Sequence, residues 1–167
     1  MNLYVKIMKD DELMHYGVVG MKWGRRRALN AAKTAGRAEA TAKIARKEAG
    51  KTVSVYNQRA KAAEASAVEL AGRGKLARSL AVQTYAEANR KRANETREEG
   101  RSYEKYYERL AASKRIKASQ LAEKYGDAET KKQVDSLIKE NSKKPYSLTF
   151  DDTDPLVAAI QEAYEYR

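Results

Sequence analysis

The chain of 167 residues contains no cysteine, one histidine, one tryptophan, one phenylalanine and two prolines. Without cysteine there is neither a disulfide framework nor a thiolate metal site, and the redox compartment is left open. The lone His15 has no second histidine at metal-ligand spacing and no obvious orienting carboxylate, so it reads as an ordinary hydrogen-bonding side chain. No apolar run approaches the roughly 20 residues that span a bilayer, and residues 1–8 lack a signal-peptide core, so a soluble protein without a membrane span is expected.

Other signatures of chemistry are also missing. Gly17-Val18-Val19-Gly20 is too short for a phosphate-binding loop and is not followed by Lys-Ser or Lys-Thr. Asp151, Asp152 and Asp154 hint at a cation site, but Pro155 and the absent loop glycine break the calcium-loop pattern, and helix capping explains them better. No nucleophile stands with a base. The expectation is a protein that is not an enzyme and has no catalytic residue, metal or cofactor.

What is present is alanine and charge. Hydrophobic residues make up 42% of the chain, but many are alanine, so any single-domain core is thin. Charged residues make up 34%, and with alanine at helical spacing this composition favours long helices or coiled coil over a compact globule. The net charge of +11 is unevenly spread: residues 1–27 carry +3, residues 145–167 carry −4, and the middle therefore carries +12.

Periodicity predicts how the middle is built. Ala28, Ala31, Ala35, Ala38, Ala42, Ala45 and Ala49 alternate steps of three and four, a coiled-coil seam made wholly of alanine. After a one-residue slip the stripe continues through Val53, Tyr56, Ala60, Ala63, Ala67 and Leu70, and Gly72-Arg73-Gly74 breaks the helix. A second stripe is expected from Leu76 and Leu80, with Ala77, Ala81, Thr84 and Ala88 beside it. It is lost in the polar run from Asn89 to Arg101, then resumes at Tyr103, Tyr107, Leu110, Ala118, Leu121 and Tyr125 before Gly126-Asp127 ends it.

Folding back at residues 72–74 pairs positions equally distant from Arg73, so that Leu70 meets Leu76 and Ala45, Ala42 and Ala38 face Tyr103, Tyr107 and Leu110. The tyrosines at 103, 106 and 107 are thus expected against alanine. Gly50 falls near the level of Gly100, where a hinge or a break into a shorter four-helix bundle are both open. Unbroken arms would each be about 70 Å long. An alanine seam buries little apolar area, at roughly 25 cal/mol per Å², so self-association or another covering partner is expected.

The fold class expected is therefore all-α: a long antiparallel helical hairpin, with an irregular N-terminal segment and short C-terminal helices. Four segments follow: a docking segment at 1–27, a basic hairpin at 28–126, a short helix at 127–144 and an acidic tail at 145–167. In the third, Val134, Leu137 and Ile138 give a helix an apolar face, and Pro145 stops it. In the tail, residues 146–150 alternate like a strand that pairs with residues 3–7, and Asp154-Pro155 starts a helix with Leu156, Val157, Ile160 and Tyr164 on one face.

The stretch least like scaffold is the N-terminal box. His15, Gly17, Gly20, Met21, Lys22, Trp23 and Gly24, followed by Arg25, Arg26 and Arg27, gather three glycines with the only histidine and tryptophan. Glycines at this density point to turns or close backbone approach, and an indole beside them is a natural anchor for docking into a pocket. An irregular turn whose tryptophan caps the protein's own helices is the competing reading.

This H-x-G-x-x-G-M-K-W-G-x-R-R pattern resembles a short element near the ends of otherwise unrelated structural proteins of tailed bacteriophages and prophages. It matches at His15, Gly17, Gly20, Met21, Lys22, Trp23, Gly24, Arg26 and Arg27 and extends little beyond residue 27. The resemblance implies a virion component associated with capsid, portal or connector, present in the host cytoplasm during assembly, and does not choose among these sites.

The basic clusters are a separate candidate. Arg25, Arg26 and Arg27, then Arg90, Lys91 and Arg92, then Lys114, Arg115 and Lys117 suit phosphate contacts that are salt-sensitive and indifferent to sequence. Lysine and arginine interleaved with glutamate also make a solvated helix face. The surplus in the middle tilts the reading toward non-specific DNA contact. The alternative to a virion component is accordingly a free basic helical DNA-binding or regulatory protein.

Overall fold

A computed structural model describes residues 17–157, with side chains from Trp23 onward. Helix α1 spans Gly17–Gly72, α2 spans Leu76–Tyr125 and α3 spans Ala128–Asn141. The two long helices pack antiparallel, and among the described residues there is no strand. Residues 146–150 carry no regular structure, so the expected strand is absent there, while His15, residues 3–7, Ile160 and Tyr164 lie outside the described residues.

The alanine stripe of α1 is the buried face of that helix. Ala28, Ala31, Ala35, Ala38, Ala42, Ala45, Ala49, Val53, Tyr56, Ala60, Ala63 and Ala67 are all buried, in the order the heptad pattern requires. The helix ends as the glycines foretold. Gly74 takes φ 73°, its N–H donates to the Ala71 carbonyl at 2.9 Å, and the Lys75 N–H donates to the Leu70 carbonyl at 2.9 Å. This pair of bonds satisfies the last carbonyls of α1, and only a residue without Cβ adopts the required left-handed backbone cheaply.

Three expectations are corrected. The box is helical from Gly17 onward, because α1 begins there and runs without a boundary past Arg27. Neither Gly50 nor Gly100 breaks its helix, so the four-helix alternative does not form. The third concerns α2. Over its first half the buried positions are Ser79, Ala86, Asn89, Ala93, Thr96 and Gly100, whereas Leu76 and Leu80 are 70% and 65% exposed. The seam thus runs straight through the polar stretch, because small residues, polar or not, let two helices approach. A Cβ on Gly100 would lie 2.5 Å from the Ala49 Cβ.

The chain divides into two compact units, one of residues 1–40 and 107–146, the other of residues 41–106 and 147–167. In the first, Ala28, Ala31 and Ala32 of α1 cluster with Ala118 and Ala122 of α2 and Val134 of α3, with Leu29, Leu121, Leu137 and Ile138 packed around them. Helix α3 is placed by its cap: the Asp127 carboxylate accepts from the Thr130 N–H and Oγ1, each at 2.7 Å. In the second unit, Val53 and Tyr56 cluster with Ala93, and the Ser79 hydroxyl donates to the Ala67 carbonyl at 2.8 Å. Val53 and Ala93, like Ala67 and Ser79, are equally distant from Arg73, so the expected register of the fold-back holds.

Candidate docking site at the N-terminal box

Within the first unit, α1 turns successive box residues to opposite sides. Gly24 is buried, and a Cβ placed on it would lie 2.5 Å from Cγ of Tyr125. Trp23, its neighbour, is 49% exposed, and the Arg26 guanidinium stands 5.9 Å from its ring centroid, one turn along the same face. The glycine therefore serves close packing while the indole faces solvent with a cation beside it. The side chains of Met21 and Lys22 lie outside the described residues, and Gly17 and Gly20 enter the structure as helix backbone.

The arginine triplet is divided among different tasks. Arg25 turns toward α3, where its Nη2 donates to Gln133 Oε1 at 3.2 Å and its guanidinium lies 3.9 Å from both Asp127 and Glu129. Hydrogen bonds from Thr130, with Arg25 adding a smaller attraction, hold the Asp127 carboxyl below the usual aspartate range. Arg27 turns instead toward α2. With Ser113, Ile116, Lys117, Gln120, Leu121, Lys124 and Tyr125 it lines an open groove of about 580 Å³. The Lys124 ammonium sits 5.1 Å from the Tyr125 ring centroid. A basic rim over an apolar floor can hold an anionic group beside a nonpolar one.

The remaining basic candidates are mostly paired within the chain. Arg90 bonds Glu64 at 2.6 Å, Lys91 and Arg92 approach Glu95 at 3.9 and 3.4 Å, and Arg115 bonds Glu39 at 2.8 Å. These are surface pairs, worth about 0–1 kcal/mol each, so they hold side chains in place more than they stabilise the fold. Lys114 is half-buried, and Lys117 is the member of its cluster that reaches the groove beside Arg27. Two clusters far apart in sequence thus each lend one cation to one surface.

The second unit holds an arrangement that no sequence signal marked. Residues 147–154, which carry no regular structure, lie against α1 and α2. The Phe150 ring meets Tyr103 edge-on, with centroids 5.7 Å apart. The buried Tyr56 hydroxyl donates to the carbonyls of Asp151 at 2.9 Å and Thr153 at 3.2 Å, and Arg59 Nη1 donates to the Asp152 carbonyl at 2.8 Å. Tyr85 donates to the Asp154 carboxylate at 2.6 Å. Asp154 also caps the next helical turn, accepting from the Leu156 N–H at 2.9 Å, as its place before Pro155 implied.

Two of the tyrosines assigned to the alanine face make ring contacts with residues 146–150. Tyr103 contacts Phe150, and in the first unit Tyr107 stacks on Tyr146 with centroids 6.0 Å apart, while Arg37 stands 4.2 Å from the Tyr146 centroid. Tyr106 is exposed. A side chain with a ring and a hydroxyl gains more against another ring and a carbonyl than against a methyl group.

A family model described as a family of unknown function, DUF7211, matches residues 6–30. The match takes in the whole box and stops soon after it. No curated protein and no solved structure matches the chain. Among the described residues there is no group of side chains able to hold a metal ion, and no helix is long and apolar enough to cross a membrane.

Proposed function

We propose that this chain is a non-enzymatic structural protein of a bacteriophage virion, associated with capsid, portal or connector and docked through its N-terminal box. The observation that carries the reading is Trp23: half-exposed on α1, flanked by Arg26, and inside the segment that the family match singles out. Tryptophan and arginine are both enriched among the residues that dominate binding at protein interfaces. Self-association fits the exposed Val68, Leu76 and Leu80, which leave apolar surface for a neighbour to cover. The virion, and the host cytoplasm during assembly, are the proposed locations.

The test is capture of phage head proteins by the tagged full chain. Binding to capsid, portal or connector protein that is lost in Trp23→Ala, with helicity unchanged, is the expected result. Capture that ignores the substitution removes the box from the interface.

The groove lined by Arg27, Lys117 and Lys124 favours a second reading, a free basic helical protein that binds DNA or regulates. Contact with packaged DNA would use the same cations inside a virion. Binding to duplex DNA that falls steeply as salt rises from about 50 to about 300 mM is expected in either case. A chain that binds DNA but captures no head protein fits the second reading.

A further inference from the structure

The irregular segment of the second unit is held as a ligand is held. Nothing in residues 147–154 pairs as a helix or sheet, so its attachment consists of side-chain contacts from the helices it lies on. Those contacts read, in order, one ring, three successive main-chain carbonyls and one carboxylate: Phe150 by Tyr103, Asp151 and Thr153 by Tyr56, Asp152 by Arg59, Asp154 by Tyr85. Each of these four hydrogen bonds runs from a helix donor to a segment oxygen. Arg92 adds its charge near Asp151, and Arg59 near Asp154. An acceptor-rich segment with three aspartates therefore lies on a donor-rich face of a strongly basic helix pair.

We infer that this face is a binding site for an acidic peptide headed by an aromatic residue, and that its ligand in trans is the same segment of a second copy of this chain. Main-chain carbonyls and one carboxylate present the same acceptors whichever copy supplies them. Exchange breaks and remakes identical contacts, which makes it a low-cost route to association. The chain's own segment competes at an effective concentration in the millimolar range, set by its short connection, so exchange grows where copies are crowded or where the resident segment is weakened. The charge balance suits the pairing, since residues 145–167 carry −4 and the middle of the chain carries +12. The inference is independent of what the N-terminal box binds.

A fluorescent peptide covering residues 147–157 is titrated with the full chain and followed by anisotropy. A variant with a weakened resident segment, Phe150→Ala with Asp154→Asn, is expected to bind the peptide at least tenfold more tightly than the unaltered chain. Adding Arg59→Gln and Tyr85→Phe on the helices is expected to abolish that gain. Equal affinity across the three proteins overturns the inference. A duplex oligonucleotide that displaces the peptide as well as unlabelled peptide does also overturns it, by marking a general anion surface. A second measurement needs no weakened fold: a photo-crosslinking benzoylphenylalanine at position 150 of the full chain, irradiated from about 10 μM to about 2 mM protein. Interchain products that rise with concentration and map near Tyr103 are expected, and purely intrachain products at every concentration overturn the exchange.

Discussion

Gly24 lies so close to Tyr125 that an added Cβ would stand 2.5 Å from the ring Cγ and 2.6 Å from the tyrosine Cβ. The tyrosine Cβ is fixed by the backbone, so a rotamer change does not relieve that contact. Gly24→Ala should therefore push α1 off α2 at this level and destabilise the chain by about 1–3 kcal/mol, the usual range for overpacking. Urea denaturation checks the size. Tyr125→Ala in the same background removes the ring but keeps Cβ, so it should restore part of the loss, and no recovery would mean that the ring is not what is overpacked.

The turn at the end of α1 separates two glycines that look alike in sequence. Gly74 has φ 73°, while Gly72 has no positive φ and open space where its Cβ would be. Gly74→Ala should cost about 1–2 kcal/mol, the penalty of a left-handed backbone with a side chain. Gly72→Ala should leave stability unchanged or raise it by about 0.4–1 kcal/mol, since it reduces the freedom of the unfolded chain. Equal effects in thermal unfolding would contradict the turn geometry.

The bond from Tyr85 to Asp154 makes the attachment of the irregular segment dependent on pH at both ends of the scale. The Asp154 carboxyl is held below the usual aspartate range, first by this hydrogen bond, and Asp151 is lowered by hydrogen bonds from Thr153. A depressed acid stabilises the folded form above its unfolded pKa of about 4 and loses that contribution as pH falls through the folded value. Tyr85 is raised, chiefly by the same bond, and Tyr56 is raised by burial and by Asp151. A raised tyrosine stabilises below its unfolded pKa of about 10 and ceases to do so as pH rises through the folded value. Protection factors for hydrogen exchange at residues 150–154, taken relative to the intrinsic rate at each pH, should therefore fall both well below about pH 4 and well above about pH 10. Tyr85→Phe should remove the part that Asp154 contributes at the acid end.

How much of this could be read beforehand depends on the kind of signal. The α1 seam was legible because alanine recurs at Ala28, Ala31, Ala35 and onward against charged neighbours, and the fold-back register followed from Gly72-Arg73-Gly74. The seam of α2 was not. Ser79, Asn89, Thr96 and Gly100 keep the same three-four spacing, but a search for apolar residues passes over them and stops at Leu76 and Leu80. Asn89 shows how far burial departs from polarity: it is fully buried, its Nδ2 donates to the Tyr85 carbonyl at 2.9 Å, and its Oδ1 has no partner. In the box, Trp23 was read as either a docking anchor or a cap on the protein's own helices and is half-exposed, whereas Gly24 was read as a docking residue and lies in a helix contact. The landing of residues 147–154 on Tyr56, Arg59 and Tyr85 was illegible, because hydroxyl-to-carbonyl contacts between segments distant in sequence leave no periodicity.

The displaced seam of α2 can be tested at paired positions. Ala86 is buried at 2% exposure, whereas Leu80 is 65% exposed on another face of the same helix. Ala86→Leu should force the two helices apart and cost about 1–3 kcal/mol, although it makes the sequence more hydrophobic. Leu80→Gln should change the stability of the single chain by no more than about 0.5 kcal/mol, the range for surface substitutions. If Val68, Leu76 and Leu80 form the surface through which copies associate, Leu80→Gln should weaken that association in sedimentation velocity while circular dichroism stays constant. The opposite pattern, with Leu80→Gln unfolding the chain and Ala86→Leu tolerated, would return the seam to Leu76 and Leu80 and refute the buried path through Ser79, Asn89 and Thr96.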